Sequence, residues 1–572
     1  MDMEWIYKIA DPDTVTKISR IIGCHRAVAE LLVNRGITTP EAAFSFMYPS
    51  FDNLAPPFSM KDMTPAVERI YAAICHREKI MIFGDFDADG VTATAILHDF
   101  LTHVNAEVSW YIPHRTKEGY SMKPAHISMA VEQHIDLIIT VDCGSDNHDA
   151  VDAAAKEDID VIITDHHQIS PPFPRAVAII NPKRKDCMAE LDHLAGVGVA
   201  FYLVIALRKY MREQNFWNDI TEPNLLAYCD LVAIGTMADM VPLKNENRIL
   251  TTAGIRVIQQ GKRPGIKALA DVSRVDHTVF DSDDISFRIA PRINAAGRMA
   301  HARICVGMLT TREKSSAEQT ASLLDQLNLK RQQTERSIVE DIENQIHRHP
   351  DILNHQAIVL AHEKWNPGVL GIAASKTARK YFKPVVLIST AATPATGSCR
   401  SVASVDIHAI LTQCAPLLET FGGHVMAAGI SILEKNIEDF SHLFAERVAL
   451  AVQEHPLEKQ LTMDCSLEPH EITEDFIKEV DQLRPFGTDN PEPLFYCKDL
   501  KVASSFLIAD KHRKMTLEKS SPQGSCATIE AFQFNIDANQ HPLPMYFEKI
   551  AFRVRINRFN HKSFPQIIIE AI

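Results

Sequence analysis

Val161-Ile162-Ile163-Thr164-Asp165-His166-His167 decides the fold. Four β-favouring residues followed by an abrupt polar triad read as a strand of a parallel sheet, buried on both faces, that empties into a site. The His pair alone carries little weight, because 25 histidines in 572 residues give about one adjacent pair by chance. Two further apolar runs end the same way. Ile80-Met81-Ile82-Phe83-Gly84 leads into Asp85-Phe86-Asp87-Ala88-Asp89-Gly90, and Leu137-Ile138-Ile139-Thr140-Val141 leads into Asp142. Ligands of an open parallel sheet gather outside the carboxyl ends of its strands, so the three endings converge on one crevice. Asp85 and Asp87, two apart in extended chain, present both carboxylates to one face. Helix N-capping would explain any one of these aspartates. Three in register, one of them joined to His166-His167, suit divalent cations such as Mn²⁺ or Mg²⁺, since carboxylates are hard oxygen ligands and imidazole takes the borderline metals.

A chain of 572 residues is too long for one domain. Its 46% hydrophobic and 23% charged residues are ordinary for a globular protein. No apolar run reaches the length of a membrane span, and Met1-Asp2-Met3-Glu4-Trp5 lacks the start of a signal peptide, so a cytoplasmic location is expected. Eleven cysteines without a Cys-x-x-Cys spacing fit reduced thiols rather than disulfides or a zinc site. The net charge of −14 argues against nucleic-acid binding over the whole surface but leaves room for a local basic groove.

Residues 14–35 carry Val15, Ile18, Ile21, Ile22, Val28, Leu31 and Leu32 at helical spacing, which predicts a small N-terminal helical cap over 1–55. Strands and helices alternate from about 65 to 260, as in a parallel α/β sheet, with 92–104 as the first crossover helix. The loop 113–120 holds Arg115 and Lys117, able to hold a phosphate, and Tyr120, on which a base could stack. Two carboxylates, Asp230 and Asp239, compete for the last site position, and spacing does not choose between them. Residues 288–299 concentrate Arg288, Arg292 and Arg298, whose guanidinium forks match phosphate oxygens. A stretch free of Gly and Pro from 315 to about 347 predicts a long helix joining two lobes. Beyond it, Gly397-Ser398-Cys399-Arg400-Ser401 and Phe421-Gly422-Gly423-His424 read as glycine-rich turns that could cradle an anion. After about 460 the pattern turns to alternation, and five short strands within about 110 residues suit an OB-like barrel.

The Asp85–Gly90 segment, Asp142, Asp165-His166-His167 and Gly235-Thr236-Met237-Ala238-Asp239 resemble the successive motifs of the DHH phosphoesterases. Nearly the whole chain is similar to those members that degrade single-stranded DNA. The resemblance implies an α/β catalytic lobe over 56–312, a connecting helix over 313–348, a second α/β lobe of the DHHA1 type over 349–456 and an OB-like nucleic-acid-binding barrel over 457–572. It implies a 5′→3′ exonuclease with two ions of Mn²⁺ or Mg²⁺, releasing 5′-mononucleotides in DNA recombination and repair. The implied ligands are Asp85, Asp87, Asp142, His166, His167 and Asp239, with Asp239 favoured over Asp230, and with Asp165 either a ligand or a residue that orients a histidine. Arg115, Tyr120, Arg298, Ser398, Arg400, Ser401, Gly422, Gly423 and His424 are implied to hold the substrate. A single-strand-binding protein and repair or recombination proteins are the implied partners, with no membrane. Cys399 departs from the Gly or Ala of many relatives and puts the geometry of its turn in question. Cleavage of short oligonucleotides, cyclic dinucleotides or pyrophosphate is the nearest rival activity, which the β domain and the arginine-rich segment disfavour. A non-catalytic scaffold of the replication machinery is another rival; it would be expected to have lost ligands, whereas every motif is filled.

Overall fold

The computed structural model describes residues 3–402, 405–454, 456–509, 511–520, 526–536, 543–559 and 562–572. It divides into two compact units, one of residues 56–239 and 254–459, the other of 1–55, 240–253 and 460–572.

The first unit opens on a five-stranded parallel sheet of β1 (Lys79–Gly84), β2 (Glu107–Tyr111), β3 (Leu137–Val141), β4 (Asp160–Thr164) and β5 (Ala178–Ile180), in the order β2-β1-β3-β4-β5. β3 is buried along its whole length and β4 nearly so, as their unbroken apolar runs require of strands covered by helices on both faces. Helix α1 (Ala88–His103) starts four residues before the sequence pattern does, because Asp87 accepts hydrogen bonds from the Asp89 and Gly90 N–H groups and caps it. Helices α2 (Gly196–Glu213) and α3 (Cys229–Asp239) pack on α1, and Asp239 closes the last turn of α3.

The long helix α4 (Lys314–Arg348) buries Ala317, Ala321 and Leu324 in its first half and Ile338, Ile342 and Ile346 in its second. The latter three belong to the core of the second lobe. That lobe is a sheet of β6 (Ile358–His362), β7 (Val385–Ser389), β8 (Ala395–Arg400), β9 (Thr420–His424) and β10 (Ala427–Ile432), ordered β9-β10-β8-β7-β6. The glycine-rich segments expected as turns are strands of this sheet. Cys399 alternates inward and is fully buried, while Ser398 and Arg400 take the opposite face, so the cysteine sits in the core and shapes no turn.

The second unit brings both ends of the chain into one core. Residues 12–33 form two helices, Pro12–Ile22 and Arg26–Val33, instead of one continuous pattern, because Gly23 ends the first in the left-handed conformation at φ 76°. Val15, Ile18, Val28, Leu31 and Leu32 share their core with Phe476, Phe495, Leu517, Phe547 and Phe552, so the expected cap packs with the barrel as one body. The strand Glu4–Tyr7, which the sequence pattern does not announce, pairs with Gln460–Met463. Strands Phe495–Ile508, His512–Ser520, Cys526–Gln533, Tyr546–Phe559 and Lys562–Ala571 form the barrel, and the first closes it by pairing with Tyr546–Phe559. All eleven cysteines are free. No helix among the described residues is long and apolar enough to cross a membrane.

Arg248 ties this unit together. Buried over the Phe46 ring, it donates from Nε to the Phe46 carbonyl at 2.7 Å, from Nη1 to that of Leu483 at 2.9 Å and from Nη2 to that of Gln482 at 3.1 Å. Burial, with Arg35 nearby, pushes its guanidinium down to about 9. Arg248→Leu removes the donor from the Phe46 and Gln482 carbonyls at about 1–3 kcal/mol each, while the Leu483 carbonyl keeps the Asn490 amide. It should therefore lower the urea midpoint of this unit well before that of the other, read by limited proteolysis; coincident midpoints in wild type and variant would refute the role.

Candidate metal centre and substrate cleft

Four segments deliver the acidic and imidazole groups to the carboxyl end of the parallel sheet. β1 runs into Asp85 and Asp87, β3 into Asp142 and β4 into Asp165-His166-His167, while α3 contributes Asp239 from its last turn. Asp142 prolongs the ladder, its N–H donating to the Thr164 carbonyl, and then turns left-handed at φ 59°. Such a backbone is uncommon for a residue with a side chain and clusters at functional sites. Gly196 makes room beside it, since a Cβ there would lie 2.6 Å from Asp142 Oδ1.

His166 Nε2 lies 3.1 Å from Asp142 Oδ1, 3.6 Å from Asp239 Oδ2 and 3.8 Å from Asp89 Oδ2. Three groups have ligand atoms within 4.8 Å of one another: Asp142, His166 and His167; Asp89, His166 and Asp239; and Asp85, Asp87 and Asp142. Asp142 and His166 each belong to two of them, which suits two adjacent ions sharing ligands. The donors fit such ions on a further ground. Asp85 Oδ1, Asp142 Oδ1 and His166 Nε2 are buried without a hydrogen-bond partner, and polar atoms in that state ordinarily cost stability. Burial first, then neighbouring carboxylates, raises Asp85 and Asp142 well above the usual carboxylate range. Burial and Asp87 bring Asp239 to about 7. Crowded acids of this kind are what a cation relieves.

Other members of the cluster are engaged already. Asp165 accepts from His167 Nδ1 at 2.8 Å, from the His166 and His167 N–H groups and from the Ser145 N–H. Burial alone would raise its carboxyl, but these donors, His167 foremost, hold it far below the usual range. Its partner His167 is raised to about 9 against the opposing effect of burial, whereas burial and the His167 charge lower His166 to about 3. Asp165 thus fixes a proton on His167 Nδ1, so that Nε2 is the nitrogen that would lose its proton to face a cation. Asn181, which sequence reasoning passed over, donates to both the Ser145 hydroxyl and the His167 carbonyl. Asp89, present in the motif but not singled out, accepts from the Gly196 and Val197 N–H groups at 2.7 and 2.8 Å and holds the start of α2 against the site. Asp230 lies elsewhere, in a buried pair with Arg263 at 2.7 Å.

Beside the acids stands a cluster of cations. Arg115 covers the Phe86 ring at 4.7 Å. Its loop is pinned by Glu118, which accepts from the Tyr111 hydroxyl at 2.6 Å and the His114 N–H at 2.5 Å. Tyr120, on the same loop, donates to the Asp142 carbonyl and lies 3.2 Å from His167 Nδ1. Arg298 donates to the Gly368 carbonyl of the second lobe at 2.9 Å. Burial, then Arg115, Arg331 and Arg400, pushes Arg298 down to about 9. Arg400 leans on Ser375 and Ser398, in space left by Gly371, where a Cβ would lie 2.6 Å from Arg400 Nη2. Among the described residues, Arg115, Arg298 and Arg400 have no carboxylate in ion-pair reach, whereas Arg292, from the same segment as Arg298, pairs with Asp325. Gly422, Gly423 and His424 lie on exposed edge strand β9, and the sheet register aligns His424 with Ala427 and Arg400. The Ser401 hydroxyl donates to the Val405 carbonyl at 2.6 Å within its own loop.

Strands that end in Asp, Asp and Asp-His-His around such a crevice define a DHH-class phosphoesterase, and residues 79–236 match the profile of the DHH family N-terminal domain, 354–450 that of the DHHA1 domain and 463–571 that of the RecJ OB domain. Within that class the chain belongs to the RecJ family. The single-stranded-DNA-specific exonuclease RecJ of Bacillus subtilis is 34% identical over 572 residues, covering 99% of this chain and 70% of the relative. That of Dickeya dadantii is 36% identical over 521 residues, covering 89% and 90%. The crystal structure of RecJ in complex with Mn²⁺ from Thermus thermophilus matches with a TM-score of 0.84 at 25% identity, over 99% of this chain and 79% of that one.

The two aspartates that spacing could not separate should part on substitution. Asp239→Asn should weaken Mn²⁺ binding, measured by calorimetry, by about 100-fold or more, beyond the roughly 10–100-fold typical of residues that only orient ligands. Asp230→Asn should keep metal affinity and lose stability, by up to about 3–5 kcal/mol, since it removes the nearer of the two carboxylates of the buried Arg263 and leaves Asp99 at 3.7 Å. The opposite pattern would transfer the ligand role to Asp230.

Proposed function

We propose that this protein is a metal-dependent exonuclease that degrades single-stranded DNA in the 5′→3′ direction to 5′-mononucleotides. The observation that carries this reading is the juxtaposition of unpartnered carboxylates and imidazole with three half-buried arginines that, among the described residues, lack counter-ions. One set suits cations and the other suits phosphates, and a phosphodiester needs both. Direction and product follow the family, as does a role in DNA recombination and repair. A cytoplasmic setting and contact with a single-strand-binding protein belong to the same reading.

Asp85, Asp87, Asp142, His166, His167 and Asp239 would hold two ions of Mn²⁺ or Mg²⁺, with Asp165 orienting His167. When bound, such ions activate a water and stabilise the leaving oxygen of an in-line displacement. The chain's own residues do the positioning. Arg115, Arg298 and Arg400, with Ser398 and His424, grip phosphate oxygens, and the Gly422-Gly423 edge offers backbone to the strand. Tyr120 stacks on a base beside the cluster. We assign catalysis to 56–312, linkage to 313–348, substrate grip to 349–456 and further nucleic-acid contact to 457–572. The barrel supports the last assignment with rings at its surface. Phe532 and Phe534 stack at 6.3 Å, His512 abuts Phe534 and Lys514 sits over Phe532, a combination of aromatic and basic groups suited to single strands.

Duplex exclusion follows from the contact between the lobes. Arg298 Nη1 reaches the Gly368 carbonyl, and a Cβ on Gly368 would lie 2.8 Å from the Arg298 carbonyl, so the two lobes touch at that point and wall the cleft beside the arginines. A single strand threads such a site and a paired one does not.

With end-labelled DNA, hydrolysis should require Mn²⁺ or Mg²⁺ and be confined to single strands. Asp142→Ala should abolish it and keep most DNA affinity, because the phosphate grip is distributed over several basic groups. Tyr120→Ala should weaken single-strand binding by roughly 5- to 150-fold, the equivalent of about 1–3 kcal/mol for one stacked base, without admitting duplex. Activity retained by Asp142→Ala would remove the metal mechanism, and blunt duplex digested by Tyr120→Ala would make the tyrosine the gate.

A further inference from the structure

The second lobe has a free sheet edge away from the arginine cluster. β6 is the terminal strand, paired in parallel with β7. Ile358 N donates to the Pro384 carbonyl and Thr390 N to that of His362, so Ile358, Leu360 and His362 turn their backbone groups toward β7. Val359 and Ala361, between them, turn theirs to the open edge. No hydrogen-bond partner meets those groups among the described residues. A strand edge left in this state is a template for another strand.

Along that edge runs the helix Ile437–Glu454. Two adjoining hollows of about 440 and 650 Å³ follow the line between strand and helix and share Val359, Ser441 and His442. The helix contributes Ser441, Ala445 and Ala449, four apart and therefore on one face, and their small side chains keep the groove open. Lys383 Nζ donates to the carbonyls of Leu353 and His355 at one end of it and holds the approach to β6 in place. The charges are one-sided. Glu363, Glu434, Glu438 and Glu446 line the hollows, and among the described residues no Lys or Arg does, Lys383 standing at the end with its ammonium on two carbonyls.

An edge strand facing a helix across a groove is the geometry in which an extended peptide adds to a sheet as a further strand. Four glutamates repel a nucleic-acid strand and favour a cationic peptide, and none of the groove's residues belongs to the metal centre or the arginine cluster. We propose that this groove takes an extended, Lys- or Arg-rich segment of a partner protein, paired with Val359 and Ala361 and directing alternate side chains to the glutamates. Docking there leaves the nuclease cleft free, so the partner would tether the enzyme without competing with DNA.

The test uses the full chain and a fluorescent Lys-Val-Lys-Val-Lys-Val peptide, followed by anisotropy. Saturable binding is expected, weakened about tenfold or more by the double change Glu438→Lys with Glu446→Lys, because like charges now face each other. Glu213→Lys, an exposed glutamate of the catalytic lobe, should leave it unchanged and controls for the net charge of the chain. Ala361→Pro should weaken it independently of charge by removing an edge N–H that β7 does not use. The peptide should slow deuterium exchange at the Val359 and Ala361 amides, and all variants should digest single-stranded DNA at the wild-type rate. Absence of saturable binding, equal affinity in the groove variants, equal binding of a Glu-Val peptide or unprotected edge amides would each overturn the proposal, and none of these outcomes bears on the nuclease site.

Discussion

Several carboxylates are buried at the carboxyl end of one small parallel sheet, and the rest of the structure is arranged around that cost. Asp85, Asp89, Asp142 and Asp165 are each no more than 5% exposed, at a depth where an ionised acid must be paired, hydrogen-bonded or neutralised. The site divides its acids accordingly. Asp165 and Asp89 have N–H donors on both oxygens, and Asp87 caps a helix with one of its own. Asp85 and Asp142 keep an oxygen with no donor at all. The first set holds two histidines and two helix starts in place, and the second is left for what the site binds.

The arginines obey the same logic with the sign reversed. Several guanidiniums among the described residues are paired: Arg184 with Asp62 and Asp186, Arg263 with Asp230, Arg292 with Asp325. Arg115, Arg298 and Arg400 are held by carbonyls, hydroxyls and a ring instead. Neutral supports fix position without cancelling charge, which keeps the attraction for phosphate intact. A net charge of −14 is therefore no obstacle to binding a polyanion. The sum is taken over the whole surface, whereas the strand meets a few uncompensated cations in a cleft.

Much of this was legible before any coordinates, because parallel strands buried on both faces write themselves as apolar runs and because their ends collect the chemistry. Asp85, Asp142 and the Asp165-His166-His167 triad follow from that pattern alone. What the pattern could not carry is angular. Asp230 and Asp239 are nine residues apart on one helix, and only the packing of α3 turns the second toward His166 and the first toward Arg263. Asp89 looked like spacing within a motif, and its task appears only when the start of α2, more than a hundred residues later, arrives to donate to it. The segments around Cys399 and Gly423 read as turns because glycine is the commonest turn former. Here the glycines lie within paired strands, and the register puts Arg400 and His424 in one row across the sheet.

Chain topology also decides how the barrel can be interrogated. Its core is completed by helices from residues 12–33, and Arg248, from the middle of the chain, bonds to Phe46 on one side and to Leu483 on the other. Cutting the chain near residue 460 would remove the barrel and also bare Val15, Ile18, Val28, Leu31 and Leu32 to water. The apolar area so exposed, at roughly 25 cal/mol per Å², would destabilise what remains, and any lost DNA affinity could not be ascribed to a missing grip. Surface rings avoid that difficulty. Phe534 is half exposed and contributes little to the core, so its removal changes what a base can stack on without changing what the N-terminal helices pack against. The role of the barrel is thus separable from its role in folding only at positions of that kind, where the side chain faces solvent and lies outside the shared core.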